Sequence, residues 1–309
     1  ALLWARKIFK TKPNRTVSNE FKSTFKVFVS IISLVPIYIF SIIGILLFSI
    51  TLFGQEELDP DKYYAESKTV FIESKIYEKQ RELQIFIPDE YVWEKEKEFK
   101  VLYLFDAQNT RIFNYISGNV QLLSMNTIEP VIIVGVVTED RWDEFLPRNN
   151  HEETLERYEP PMGNADKLIE HIQTEIEPYL KKNYRVQDYR LAIGHSLGAT
   201  FITYASMKTD NLFNYNILLS PNYNYDKKQF VERFKESLKT DLTKNKEFYF
   251  VNGYRDKYEK EFDEPLQEVI KSLESFDNEK IKWNYKKLDI DNHGLIWLGV
   301  YNGLLNWKK

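Results

Sequence analysis

The sequence predicts an α/β domain with a mostly parallel sheet covered by helices on both faces, preceded by one transmembrane helix. Three observations predict it. Short apolar runs alternate with helical patterns from about residue 66 onward. One long apolar run near the N-terminus contains no charged residue, and a serine between two glycines stands where a strand passes into a helix. The chain has 309 residues, of which 43% are hydrophobic, and this is enough for the core of a large domain.

Composition excludes several classes of protein. The 42 basic and 46 acidic residues give a formal net charge of -4, which gives no support to a nucleic-acid partner. The chain has no cysteine, so disulfides, thiolate metal sites and a cysteine nucleophile are excluded. It has four histidines and no HExxH pattern. We therefore expect neither a metal nor another cofactor.

The uncharged apolar run covers residues 27–53. A bilayer core is crossed by about 20 apolar residues in a helix, and the run is too long for the apolar part of a secretory signal. A buried core helix is the alternative. Basic residues dominate residues 1–26 and acidic residues follow the run, which predicts a cytoplasmic N-terminus and a single-pass anchor in the cell membrane. A linker at 54–66 would then lead to a periplasmic or extracellular domain at 67–309.

The alternation of apolar runs and helical patterns predicts the sheet. Residues 69–77 and 81–88 are rich in β-branched and aromatic residues, as in a hairpin. Six later apolar runs are typical of strands buried on both faces, and they cover 100–107, 130–137, 189–195, 215–221, 247–253 and 281–290. Helical patterns cover 111–125, 163–183, 197–207, 227–240, 264–276 and 295–307. This order favours parallel strands joined by helices.

One connection, residues 138–162, is long and shows no clear periodicity. Loops of that length are usually functional or mobile. The loop contains aromatic residues such as Trp142, so it either covers a binding site or forms a solvated insertion.

The serine lies in the pattern Gly194-His195-Ser196-Leu197-Gly198. The small glycines permit a sharp turn from strand to helix, which lifts the Ser196 hydroxyl above the sheet edge. The turn also places that hydroxyl at a helix N-terminus, where N–H groups favour developing negative charge. Ser196 is therefore the candidate nucleophile, while the side chain of His195 is expected to point away and shape the turn.

A serine nucleophile needs a base, and an acid that orients the base. On such a sheet the acid and then the histidine follow the serine along the chain. His293 is the one histidine downstream, in a loop at the sheet edge of Ser196. The acid is expected after the penultimate strand. Asp256 is nearest the strand end and is the first choice, with Glu259 and Glu261 as alternatives.

The developing oxyanion needs two backbone N–H donors. One is expected from Leu197, directly after the nucleophile. The other is expected from Ala107 or Gln108, in the loop that follows the run at 100–107.

Several segments resemble one family of α/β-hydrolases: "YLFDAQNTRIF", "VIIVGVVTEDRWDEFLPRN", the region around "RLAIGHSLGATF", "LLSPNY" and "DNHG". Together they are similar to the Putative esterase family, which includes esterase D, enterobactin-type siderophore esterases and feruloyl or acetyl-xylan esterases. The resemblance covers residues 66–309 and implies an α/β-hydrolase fold. It also implies Ser196 as nucleophile, His293 as base and Asp256 as acid.

The resemblance also bears on the surroundings of the site. Arg141 and Arg148 match a family stretch beside the active-site cleft, and with Trp142 and His195 they are the expected substrate-binding residues. Ala107 stands where the family often has glycine, so the backbone at the second oxyanion donor is expected to differ from that of the family.

Three functions are consistent with these features. The first is a membrane-anchored serine esterase acting through an acyl-enzyme on a small-molecule, glycan or siderophore ester. The second is a catalytically silent hydrolase-fold module that serves as a subunit of a membrane protein complex. The third is an acyltransferase with the same triad. The complete set of serine, histidine and acid favours an enzyme over a silent module.

Overall fold

The computed structural model describes residue 39 and residues 64–149, 151–157, 163–209, 212–240, 244–276 and 279–307. Among these residues, no helix has both the length and the apolar composition needed to cross a membrane. The predicted membrane helix at 27–53 lies outside them, apart from Ile39, and so does the basic segment at 1–26.

The described part of the chain contains an eight-stranded sheet in the order β1-β2-β4-β3-β5-β6-β7-β8. Strand β2 is antiparallel to β1 and β4, and all the other pairs are parallel. The strands are β1 Glu66–Ser74, β2 Lys79–Ile87, β3 Phe99–Phe105, β4 Val131–Val136, β5 Val186–His195, β6 Tyr215–Leu219, β7 Lys246–Asn252 and β8 Ile281–Lys287. The predicted hairpin and the mostly parallel sheet are confirmed.

Helices connect the strands. They are α1 Glu90–Trp93, α2 Thr110–Ser124, α3 Arg141–Phe145, α4 Glu152–Arg157, α5 Ala165–His171, α6 Glu177–Asn183, α7 Leu197–Lys208, α8 Gln229–Ser237, α9 Lys257–Ser275 and α10 Gly299–Trp307. A π-helical turn, Ile172–Ile176, joins α5 to α6, and a 3₁₀ helix, His293–Leu298, precedes α10.

Two apolar clusters cover the two faces of the sheet. Helices α2 and α10 pack on one face through residues such as Phe113 and Leu304. Helices α5 to α9 pack on the other face through residues such as Phe201 and Leu266. Because both faces are covered, the central strands are buried along their length, which accounts for their continuous apolar sequences.

The carboxyl ends of the parallel strands β3 to β8 all lie at one edge of the sheet. The loops after these strands therefore meet there, as ligand-binding loops do in open α/β sheets. Strand β1 runs in the same direction as β4, since both are antiparallel to β2. The chain consequently enters β1 at the opposite edge.

Two elements differ from the sequence prediction. Helix α9 begins at Lys257, whereas the pattern predicted a helix over 264–276. Pro265 lies inside this helix, although proline favours the first turn of a helix. The long connection at 138–162 contains the helices α3 and α4. Both helices are too short to show a clear hydrophobic period in the sequence.

Helix α10 approaches the sheet closely enough to require glycine. A Cβ on Gly303 would lie 2.8 Å from Cδ1 of Ile217, a buried residue of β6. A Cβ on Gly118, in helix α2, would have nothing within 4 Å.

We expect Gly303→Ala to lower the free energy of unfolding by about 1–3 kcal/mol, as for other overpacked cores. Gly118→Ala is the matched control and should raise that free energy by about 0.5–1 kcal/mol, because alanine is the better helix former. Urea denaturation of the two purified variants measures both changes. Two changes of the same sign would contradict this account of the packing of α10.

Candidate active site

Ser196 lies in a strained turn between β5 and α7. Its backbone has φ 56° and ψ -115°, in a region where a residue with a side chain is uncommon. Gly194 makes the turn possible, since a Cβ there would lie 2.5 Å from the carbonyl carbon of Gly198. The Ser196 N–H donates to the carbonyl of Leu219 at 2.8 Å, which ties the turn to the end of β6. The predicted strand-to-helix turn is therefore present.

His293 begins the 3₁₀ helix that follows β8, at the same edge of the sheet. Asn292 caps this helix by accepting a hydrogen bond from Gly294 N–H at 2.8 Å. Three rings surround the imidazole, with centroid distances of 4.3 Å to His195, 5.6 Å to Tyr258 and 5.6 Å to Phe262. Packing on several sides therefore restricts the orientation of the imidazole.

Glu259 is the carboxylate that contacts this imidazole. Its Oε1 lies 2.5 Å from Nδ1 of His293, and its side chain is fully buried. The carboxylate also accepts hydrogen bonds from the Ser220 hydroxyl, at 2.7 and 2.6 Å, and from the Gly253 N–H at 2.5 Å. Glu259 stands in the first turn of α9, where the helix dipole favours a negative charge.

The acid predicted from the sequence, Asp256, does not contact His293. It is the N-cap of α9, and its side chain accepts a hydrogen bond from Tyr258 N–H at 2.7 Å. The prediction assumed a loop after β7 that would have to fold back to bring later residues to the site. Instead a helix begins at Lys257, and its first turn carries Glu259 back over the strand end. Glu261, the other alternative, lines the cleft and accepts a hydrogen bond from Asn224 at 3.4 Å.

A signal for Glu259 was present in the sequence. Asp256 and Glu259 have the spacing of an N-cap residue and an N3 glutamate. Glu259 also lies at helical spacing from the buried residues Phe262 and Leu266, on the face of α9 that packs against the sheet. By contrast, no periodicity or motif identified Ser220 as a partner of the acid.

Ser196 and His293 line one cleft of about 370 Å³. Its walls carry both aromatic and polar side chains, and the lining residues are Arg141, Trp142, His195, Ser196, Leu197, Asn222, Tyr258, Glu261, Phe262 and His293. The cleft therefore brings together the predicted nucleophile, the predicted base and three of the four predicted substrate-binding residues.

Arg141 is held by an ion pair at the edge of this cleft. Its guanidinium donates to both carboxylate oxygens of Asp106, at 2.5 and 3.1 Å, and to the carbonyl of His195 at 3.3 Å. It thereby connects the loop after β3 with the residue before the nucleophile. A bidentate arginine pair of this kind is directional, so Arg141 fixes the loop that carries Gln108.

Helix α3 brings Arg141 and Trp142 to the cleft. Asp140 caps this helix by accepting from Trp142 N–H at 3.0 Å, and buried Glu144 pairs with buried Arg81 of β2. Arg148 follows α3 but is exposed and does not line the cleft. The position of Arg148 gives no support to its predicted role in substrate binding.

The two candidates for the second oxyanion donor differ in their backbone contacts. The Ala107 N–H donates to the carbonyl of Val136 at 3.2 Å, so it is already used within the sheet. Gln108 follows in the turn from Asp106 to Asn109. Leu197 is the first residue of α7, where an N–H group has no acceptor within the helix.

His195 differs from His293 in its electrostatic surroundings. Burial lowers the pKa of the His195 imidazole well below its ordinary value, and His293 and Arg141 lower this pKa further. Its Nε2 is enclosed without a hydrogen-bond partner. The His195 ring packs against His293 and Trp297, and His195 also lines the cleft.

Within the described ranges, no group of three or more histidine, aspartate or glutamate side chains could hold a metal ion.

Comparison with known protein families identifies one family for this chain. The model of the family described as "Putative esterase" matches residues 74–295. No curated protein sequence matches at a significant level.

Several solved structures share the fold. An IroE-like serine hydrolase from Shewanella oneidensis is 21% identical, with a TM-score of 0.69 over 78% of this chain and 79% of its own. The BES protein from Bacillus cereus is 19% identical, with a TM-score of 0.66 over 81% and 98% of the two chains. The siderophore hydrolase EstA from Aspergillus nidulans is 13% identical, with a TM-score of 0.65 over 82% and 99%.

Proposed function

The chain belongs to the Putative esterase family of ester-hydrolysing enzymes, and we propose that it uses Ser196 as nucleophile, His293 as base and Glu259 as acid. The observation that carries this proposal is the 2.5 Å contact between His293 Nδ1 and the buried Glu259, beside a cleft that Ser196 also lines. Glu259 replaces Asp256 in the triad expected from the sequence.

The first half of the reaction forms an acyl-enzyme. Ser196 Oγ attacks the ester carbonyl carbon while Nε2 of His293 takes the hydroxyl proton. Glu259 accepts the hydrogen bond from Nδ1–H and stabilises the imidazolium without taking its proton. The Leu197 and Gln108 N–H groups are assigned to the oxyanion, since the Ala107 N–H is already bonded to Val136. The imidazolium then protonates the leaving alkoxide as the C–O bond breaks.

Water completes the second half. His293 Nε2 removes a proton from the water molecule, whose oxygen attacks the acyl carbon. Collapse of the second tetrahedral intermediate returns the proton to Ser196 Oγ and releases the carboxylic acid. In an acyltransferase, another hydroxyl compound would replace water at this step.

The substrate is proposed to be a small ester. The cleft of about 370 Å³ suits a small molecule, and its aromatic walls favour a flat or apolar group next to the ester. A structural neighbour from Aspergillus nidulans is a siderophore hydrolase, so siderophore esters form one class to test.

The membrane anchor remains a proposal of its own. It is supported by the charge-free run at 27–53 and by the basic residues before it. A single-pass anchor with a cytoplasmic N-terminus would hold the esterase domain on the outer side of the membrane.

Ser196→Ala should lower the turnover of p-nitrophenyl acetate by about 10⁴- to 10⁶-fold, because it removes the nucleophile. Initial rates of the purified full-length protein measure the change. Ser117→Ala, which removes a buried hydroxyl from α2, is the control and should keep the wild-type rate. Full activity in Ser196→Ala would exclude Ser196 as nucleophile. A folded wild-type protein that hydrolyses no ester would favour the silent module.

Glu259→Gln should lower kcat by about 10⁴-fold, because the neutral amide cannot stabilise the imidazolium. Asp256→Asn and Glu261→Gln are matched carboxylate-to-amide controls. Each should keep most of the turnover, since Asp256 caps α9 and Glu261 bonds to Asn224. Kinetics of the three variants with one substrate decide the question. A large loss confined to Asp256→Asn would restore Asp256 as the acid.

The full-length protein should fractionate with membranes and resist extraction by high salt. Protease added from the extracytoplasmic side should degrade the domain at 67–309. Recovery in the soluble fraction would contradict the anchor, and protection from the added protease would contradict its orientation.

A further inference from the structure

We propose that Ser220 is a positioning residue for ester hydrolysis, because its buried hydroxyl fixes the carboxylate that orients His293. The proposal rests on the function assigned above to Ser196, His293 and Glu259. Ser220 does not line the cleft, so its effect on the reaction passes through Glu259.

Ser220 occupies a backbone position that several contacts fix. It follows the last residue of β6, and its N–H donates to the carbonyl of Val251 in β7 at 2.7 Å. Its φ of 43° lies in the left-handed region, and its side chain is fully buried. A serine in this conformation is costly and persists only where the surroundings determine it.

The hydroxyl oxygen lies 2.7 Å from Oε1 and 2.6 Å from Oε2 of Glu259. The hydroxyl has a single proton, so it donates to one oxygen at a time or shares the proton between them. His293 Nδ1 bonds to Oε1, and the Gly253 N–H bonds to Oε2. Ser220 is therefore the donor within reach of both oxygens, and it resists rotation of the carboxylate plane.

Loss of the hydroxyl would leave the carboxylate with one protein donor besides His293, the Gly253 N–H. The buried charge would be less well compensated, and only the Gly253 N–H, at Oε2, would then oppose rotation of the carboxylate about its Cγ–Cδ bond in addition to His293 itself. Rotation moves Oε1 away from Nδ1, and the imidazole then loses the bond that fixes its tautomer. This loss affects the chemical step and leaves the substrate-binding walls unchanged.

The competing explanation is that the Ser220 hydroxyl only fills space in the core, and that its bond to Glu259 does no more than meet its own need for a hydrogen-bond partner. A purely structural role would change stability, whereas a positioning role would change kcat at constant KM. A positioning role would also change the low-field NMR resonance of the His293 N–H that is bonded to Glu259.

The experiment compares three variants of the full-length protein with p-nitrophenyl acetate as substrate. Ser220→Ala removes the hydroxyl, and Ser220→Gly removes it while relieving the backbone strain. Ser117→Ala removes a buried serine hydroxyl that donates to the carbonyl of Phe113 at 2.7 Å. Ser117 is far from Glu259 in the sequence. Thermal unfolding of each variant is recorded alongside the kinetics.

We expect both Ser220 variants to lower kcat by about 10- to 100-fold, equivalent to about 1.4–2.7 kcal/mol, with KM nearly unchanged. Their low-field resonance should shift or broaden, while Ser117→Ala keeps both the rate and the resonance of the wild type. Equal losses in the Ala and Gly variants would assign the effect to the hydroxyl and not to backbone strain.

A kcat within about threefold of wild type in both Ser220 variants, with an unchanged resonance, would overturn the proposal. If only Ser220→Ala loses activity and Ser220→Gly does not, the backbone is responsible and the proposal is again wrong. Failure of the proposed function has a different signature. In that case Ser196→Ala or Glu259→Gln keeps full turnover, and Ser220 has no triad to position.

Discussion

The proposed active site depends on one buried charge, the carboxylate of Glu259. Removal of a carboxylate from water is costly unless hydrogen bonds replace its hydration. Here the replacements come from the end of β6, the end of β7 and the loop after β8, through Ser220, Gly253 and His293. The first turn of α9 supplies the carboxylate itself and a favourable dipole. Four segments of the fold must therefore come together before this charge can be buried.

The parallel sheet provides that convergence. The ends of β6, β7 and β8 lie side by side because these strands are neighbours and run in the same direction. Strand β5 is the next neighbour, and its end carries Ser196. The turn at Ser196 is also bonded to Leu219, directly before Ser220. The proposed nucleophile and the proposed acid are thus held by consecutive residues at the end of one strand, Leu219 and Ser220, which limits their independent movement.

The elements with strong local patterns could be predicted from sequence. Continuous apolar runs revealed the central strands, and the glycines around Ser196 revealed the turn, because a Cβ at Gly194 would clash with the chain. His293 could be selected as the candidate base because it is the histidine that follows the serine in the chain.

The carboxylate that contacts His293 could not be identified by its proximity to the strand end. Asp256 is closer to β7 in sequence, yet the first turn of α9 brings Glu259 back to the site. Ser220 and Asp106 act through contacts between residues far apart in the chain. No periodicity records such contacts, so the structure was needed to identify them.

The two histidines of the site have separate tasks because their environments differ. His195 precedes the nucleophile in sequence, but its Nε2 is buried and its pKa is lowered well below the ordinary value. It therefore stays neutral while its ring packs 4.3 Å from His293, centroid to centroid. A charged His195 at this distance would oppose protonation of His293, which the proposed mechanism requires. A neutral ring on one side and the Glu259 carboxylate on the other are consistent with His293 as the imidazole that takes and returns the serine proton in the proposed mechanism.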